Sequence, residues 1–300
     1  MHSVQWVDRG HQLTVPPQGE GTSCVGISRM SSVQLPGGVS TLWMQLRGNT
    51  GVHAREGEFR LKRGDWMVLE RDSRPTLQAD RLGICVGLCL STDTLVALGE
   101  GATPLYPGRG RMSASDLQIA VRLWRRIGQA ADGRLGTRGD LRPLLLHMAD
   151  LQRGIAAQVQ HCPGRSLGRK RHVLARLQRA RLFLEGHTDR VVRIGELAEL
   201  ANLSYWYFSK AFQGVYGESP QAFGARVRLE LAARLLRDSD MIVGEIAAAS
   251  GFEHAGSFAR AFRAHFGACA TAYRDSAWAA TANSAHIAGA SRAAQLRATP

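Results

Sequence analysis

The sequence predicts an α+β chain: an N-terminal antiparallel β barrel or double-sheet jelly roll carrying a helical pair, followed by an all-α domain of two helix-turn-helix units. Three observations predict it. Ile194, Leu197, Ala198, Asn202, Phe208, Phe212, Tyr216, Gly217 and Phe223 are echoed by Val243, Ile246, Ala247, Gly251, Phe258, Phe262, Phe266, Gly267 and Tyr273, at an offset of 49 up to Gly251 and 50 from Phe258 onward. Short alternating apolar runs broken by glycine-rich turns fill residues 20–95. A length of 300 residues suits two domains.

In the barrel half, Thr41-Leu42-Trp43-Met44-Gln45-Leu46 stops at Arg47-Gly48-Asn49-Thr50-Gly51. Glu58-Phe59-Arg60-Leu61-Lys62 then turns through Arg63-Gly64-Asp65 into Trp66-Met67-Val68-Leu69. Leu82 to Leu90 is almost wholly apolar, long enough for a buried strand and too short to span a membrane. We assign residues 1–112 to this barrel half. Trp43 and Trp66 are candidate walls of an inward-facing small-molecule pocket, although simple core packing is the favoured reading of both. His53 with Glu56 and Glu58 is the nearest approach to a metal-ligand group. It lacks the His-x-His pair that converging ligation would use, and we expect no metal and no cofactor. Neither a Ser/His/Asp grouping nor a phosphate-cradling glycine loop is present, so we do not expect an enzyme.

Residues 113–160 read as a helical pair. Leu117, Val121, Trp124 and Ile127 mark one helix with Arg122, Arg125 and Arg126 outward; Gly133 to Gly139 breaks it; Leu141, Leu144, Leu145, Met148, Leu151 and Ile155 mark the second. Residues 161–171 form a basic linker, and Val173, Leu177, Ala180 and Leu184 open the next helix.

Within 172–275 the first unit is legible residue by residue. Ile194, Leu197, Ala198 and Ala201 share one helical face, Asn202 supplies the left-handed turn, and Ser204 caps the following helix. Phe208, Phe212 and Tyr216 form its buried stripe and leave Trp206, Ser209 and Lys210 on other faces. Ser219-Pro220 starts a joining helix whose apolar stripe runs from Phe223 through Leu236. At ~1.5 Å per residue it makes a rod of roughly 27 Å. Such a rod could hold two reading helices about one DNA turn (~34 Å) apart. In the second unit Gly251 makes the turn, and His254, Gly256 and Arg260 stay outside the Phe258, Phe262, Phe266 stripe. Residues 276–300 are rich in Ala, Ser and Thr, with few large apolar side chains, and read as a disordered tail.

A formal charge of +13 and a pI near 10.5 suit a polyanionic partner. Lysine occurs only at Lys62, Lys170 and Lys210, so nearly every cation is arginine. The five cysteines form no CxxC pair, which fits a reducing cytoplasm; no export signal or membrane span is evident.

On these residues the segment 172–275 resembles the DNA-binding domain of AraC/XylS-type transcription regulators. The resemblance is carried by Leu197-Ala198, Leu203-Ser204, Phe208, Lys210, Phe212, Gly217, Ser219-Pro220, Arg228-Leu229, Ala232 and Leu235-Leu236, and by Ile246-Ala247, Gly251-Phe252, Phe258, Arg260, Phe262-Arg263, Phe266-Gly267 and Tyr273-Arg274. Ala270 departs from the family, which usually has proline there. The resemblance implies double-stranded promoter DNA as partner, with Trp206, Ser209, Lys210, His254, Gly256, Ser257, Arg260 and Arg228 at the DNA. Ala255 and Gly256 offer no specific polar contact, so the first unit is expected to carry more discrimination. It also implies a cupin-like N-terminal half binding a small-molecule effector, a homodimer formed through the helical pair, contact with RNA polymerase, and activation of transcription. A repressor or architectural DNA-binding protein without effector, and a cupin-type enzyme with a DNA-binding domain, stay open as alternatives.

Overall fold

The computed structural model describes residues 4–15, 22–91, 105–129 and 138–276. Residues 277–300 of the expected tail and 133–137 of the expected glycine break at 133–139 lie outside them, while Arg138 and Gly139 open a helix. The described residues form two compact units: one holds everything up to Gly186 together with Ile194–Ser219, the other His187–Arg193 with the residues from Pro220 onward.

In the first unit eleven strands among the described residues form two sheets. They are β1 (Gln5–Val7), β2 (Gln12–Thr14), β3 (Thr22–Ser28), β4 (Ser32–Gln34), β5 (Val39–Arg47), β6 (Asn49–Ala54), β7 (Gly57–Lys62), β8 (Asp65–Leu69), β9 (Thr76–Ala79), β10 (Ile84–Ser91) and β11 (Gly108–Arg111). One sheet runs β1-β3-β10-β5-β8-β11 and the other β2-β4-β9-β6-β7. Pairing is antiparallel except for β1 with β3 and β2 with β4, which are parallel. That departs from the all-antiparallel expectation. These short strands sit at sheet edges with no hairpin to dictate direction.

The alternation of β5 and β8 separates two cores. Trp43, Val25, Ile27, Met67, Leu69, Cys85 and Cys89 meet Val33, Val52, Phe59, Leu61 and Leu77 of the other sheet. The opposite face of the first sheet buries Leu42, Met44, Trp66, Val68, Val86 and Leu88 against α1 (Ala114–Gln129) and α2 (Arg138–Leu151) through Leu117, Trp124, Ile127, Leu144 and Met148. Cross-strand glycines make room for indoles. A Cβ at Gly87 would lie 2.4 Å from Trp43, and one at Gly110 would lie 2.7 Å from Trp66.

Short α3 (Arg153–Ala157) and a 3-10 turn at Gln158–His161 lead to α4 (Leu167–Gly186). Part of the expected linker is therefore helix. The Ser166 hydroxyl accepts from Arg169 N at 3.3 Å, and unbranched Arg and Lys side chains favour helix once it is capped. Helices α5 (Ile194–Leu200) and α6 (Tyr205–Tyr216) complete this unit; α7 (Pro220–Asp238), α8 (Val243–Ala249), α9 (Ala255–Phe266) and the helical residues 270–276 belong to the other.

Within the first unit α4 packs against strands β7 and β11. Leu182 enters the inter-sheet core. Gly57 and Gly186 bridge backbone to backbone, and a Cβ on Gly186 would meet the Glu56 carbonyl oxygen at 2.3 Å. Arg179 Nε donates to Glu56 Oε1 at 2.9 Å, with Glu70 and Asp72 carboxylates 3.6 and 3.7 Å from Nη1.

Candidate nucleic-acid interface

Two short helix pairs present the residues expected at DNA, and each pair is built around a left-handed turn. In the first, Ala201 N and Leu203 N donate back to Leu197 and Ala198 carbonyls, both at 2.9 Å, and Asn202 adopts φ 49°. The Ser204 hydroxyl accepts from Tyr207 N at 3.4 Å, and Gly217 ends α6 at φ 75°. Phe208 and Phe212 are fully buried, with Phe212 and Tyr216 ring centroids 4.4 Å apart. The aromatic stripe therefore fixes which face of α6 points outward.

That outward face carries Tyr205 and Trp206, 58% and 65% exposed, together with exposed Lys210. Lys210 Nζ stands 4.3 Å from the Trp206 ring centroid, so two of the expected reading residues form one cation–π stack in water. Ser209 is placed differently from Trp206 and Lys210. The residue is half-buried, and its hydroxyl is buried without a hydrogen-bond partner among the described residues. Tyr205 is a residue that sequence reasoning misses, although its place immediately before Trp206 at the helix start is an available signal.

In the second pair Gly251 turns at φ 70°, and a Cβ there would lie 2.7 Å from Arg190 N. Glu245 accepts from Ile242 N at 3.1 Å at the start of α8. Phe258 and Phe262 are buried with centroids 5.4 Å apart, and Tyr273 meets Phe262 edge-on at 5.5 Å. Ala270, at the family's proline position, is buried in the same core and opens the helical residues 270–276. His254, Gly256, Ser257 and Arg260 are all exposed at the beginning of α9.

Arg228 has an internal task. Its Nη1 donates to the Gly251 carbonyl at 2.8 Å and its guanidinium lies 4.7 Å from the Phe252 centroid. Burial holds its pKa below the ordinary arginine value. It braces the turn, a role that sequence spacing alone does not separate from phosphate contact.

The proposed pocket walls are parted by strand register. Trp43 pairs with Met67 and faces the other sheet, whereas Trp66 pairs with Met44 and faces α1 and α2. The two indoles therefore cannot line one cavity. Along the inter-sheet face of β5, Thr41 Oγ1, Trp43 Nε1 and Gln45 Oε1 are buried without partners among the described residues. The His53, Glu56, Glu58 group is also dispersed. His53 and Glu58 pair at 3.2 Å on the surface, while Glu56 turns inward to Arg179 and Ser73. Burial pushes the Cys85 and Cys89 thiols up to about 12, which leaves them protonated and unreactive. No helix of the described residues is long and apolar enough to cross a membrane.

A family model for the helix-turn-helix domain matches residues 197–276. The probable transcriptional regulator LumQ of Photobacterium leiognathi is 29% identical over 92 residues, covering 31% of this chain and 37% of that protein. The HTH-type transcriptional regulator ExsA of Pseudomonas aeruginosa is 32% identical over 97 residues, covering 32% of this chain and 34% of that protein. The chain thus spans about a third of the length of these curated relatives. A solved structure of a probable AraC family transcriptional regulator from Rhodopseudomonas palustris is 34% identical, covering 34% of this chain and 96% of its own, with a TM-score of 0.32.

Proposed function

We propose that this chain, whose C-terminal residues match a helix-turn-helix domain of AraC/XylS type, is a transcription regulator, that α6 and α9 are a tandem pair of DNA-reading helices, and that the protein recognises a specific promoter duplex. The observation that carries this reading is the repeated geometry: a left-handed turn, an aromatic buried stripe, and an outward helix start bearing Trp206 with Lys210 in one copy and His254, Ser257 and Arg260 in the other. Lys210 can reach guanine acceptors or a phosphate, and Trp206 can pack on a thymine methyl or sugar. Arginine–phosphate contacts supply affinity, and base contacts supply selectivity.

The N-terminal sheets are a cupin-like sensor in this reading. It is supported by the unpartnered Thr41, Trp43 and Gln45 atoms, since buried polar groups are normally satisfied and a polar ligand between the sheets would satisfy them. Self-association through α1 and α2 is supported by Ile119 and Leu146, 44% and 46% exposed on those helices. Activation through RNA polymerase, in the cytoplasm, is the mode the family resemblance implies.

Selection of bound duplexes from a random-sequence pool tests the central claim. A two-part motif read over more than one major-groove segment is expected. A protection footprint confined to a single groove would remove one of the two reading helices from the proposal. A reporter driven by the selected duplex then gives the sign, with rising output expected when the protein is supplied.

A further inference from the structure

The start of α4 carries a concentration of positive charge that neither helix pair accounts for. Arg165 precedes the Ser166 cap, and Arg169, His172 and Arg176 follow at spacings of four, three and four residues along one side of the chain. Helical spacing of three and four places the last three in one stripe. No acidic residue occupies the first turn of α4. Among the described residues, no carboxylate pairs with any of these three arginines. Burial, then the Arg176 and Arg169 charges, hold His172 below its ordinary pKa, so the positive charge of the stripe is carried by its arginines.

The stripe leads directly to the first helix pair. Arg176 Nη1 donates to the Asn202 carbonyl at 2.9 Å, and Asn202 is the left-handed residue that turns the chain toward α6. Both elements belong to the same compact unit. From Arg176 back to Arg169 is seven residues, or about 10 Å of helix. That matches the axial length of about three base-pair steps at ~3.4 Å each.

We infer that Arg165, Arg169, His172 and Arg176 form a phosphate-gripping stripe that extends the contact of α6 onto the DNA backbone beside the bases it reads. The inference rests on α6 being a DNA-reading helix. It adds a third contact element, one that supplies affinity and register but no base preference.

The test uses the full chain and the duplex that the wild type selects from a random-sequence pool, with Kd measured by fluorescence anisotropy across a salt series. Arg165→Gln/Arg169→Gln removes two charges whose side chains make no ion pair among the described residues. Each phosphate contact contributes about 0.9 to the slope of log affinity against log salt, so the slope should shrink by about 1.8 with the selected motif unchanged. Arg63→Gln/Arg81→Gln, at exposed positions among the strands, removes the same net charge and should leave the slope as it was. An unchanged slope in the first variant, or an equal shrinkage in both, overturns the stripe while leaving the reading by α6 intact. If the wild type selects no motif and binds no duplex, the DNA-reading assignment fails and the stripe fails with it.

Discussion

Removing Arg179 should destabilise the first unit more than any surface charge change in this protein. The Glu56 side chain is 1% exposed and that of Arg179 10%, and they meet at 2.9 Å. Glu56 also accepts from the Ser73 hydroxyl at 3.0 Å. Arg179→Ala would leave the Glu56 carboxylate buried with that hydroxyl alone, and breaking a buried pair from one side costs about 3–5 kcal/mol. Glu56→Gln with Arg179→Met removes both charges and keeps most of the volume, so it should recover most of that loss. Urea unfolding followed by tryptophan fluorescence reads the effect, because Trp43 and Trp66 lie in the cores that α4 and the sheets share or adjoin. Two outcomes would refute the reasoning: an Arg179→Ala cost below about 1 kcal/mol, typical of a solvated pair, or a double variant no better than the single.

The other predictions concern the reading helices, one turn and one acid-sensitive anchor. Lys210→Ala should weaken binding to the selected duplex by about 1–3 kcal/mol and relax the motif at one position, whereas Ala255→Ser should change little; equal loss on all sequences would make Lys210 a phosphate contact. Gly251→Ala must hold an L-residue at φ 70° and push its Cβ against Arg190 N, so the second unit should lose about 1–3 kcal/mol in thermal unfolding; an unchanged midpoint would show that the turn relaxes freely. Asp8 is held at a pKa of about 2, chiefly by the Arg29 side chain and also by the Ser28 hydroxyl. This depressed carboxyl supports the fold above its ordinary value of 3.8, and that support is lost as pH falls from there toward 2. NMR titration should show Arg29→Ala returning Asp8 toward 3.8, and a titration that stays near 2 would assign the effect elsewhere.

Periodicity and turn chemistry are local properties, so the helix pairs are legible in the residue order. Asn202 and Gly251 are identifiable as turns because few residues tolerate a positive φ, and both adopt one. Ser204 is identifiable as a cap, and the phenylalanine stripes as buried faces. The packing of Ser209 and the internal hydrogen bond of Arg228 escape such reading for a common reason. Spacing states which helical face a residue occupies but not which neighbour that face meets. The β strands are likewise readable, yet nothing local parts Trp43 from Trp66, because register between β5 and β8 decides which side of a sheet each indole enters.

The amino-acid order alone determined the two repeated helix pairs, their outward-facing Trp206, Lys210 and Arg260, and the strand-then-helix plan, since these depend on contacts only a few residues long. Tertiary structure decided that α4 and the first pair belong with the sheets. That outcome depends on Glu56 and Arg179, which are 123 positions apart, and on Gly57 meeting Gly186. No local pattern records such a meeting, because a buried ion pair forms only where folding has already excluded water from both partners.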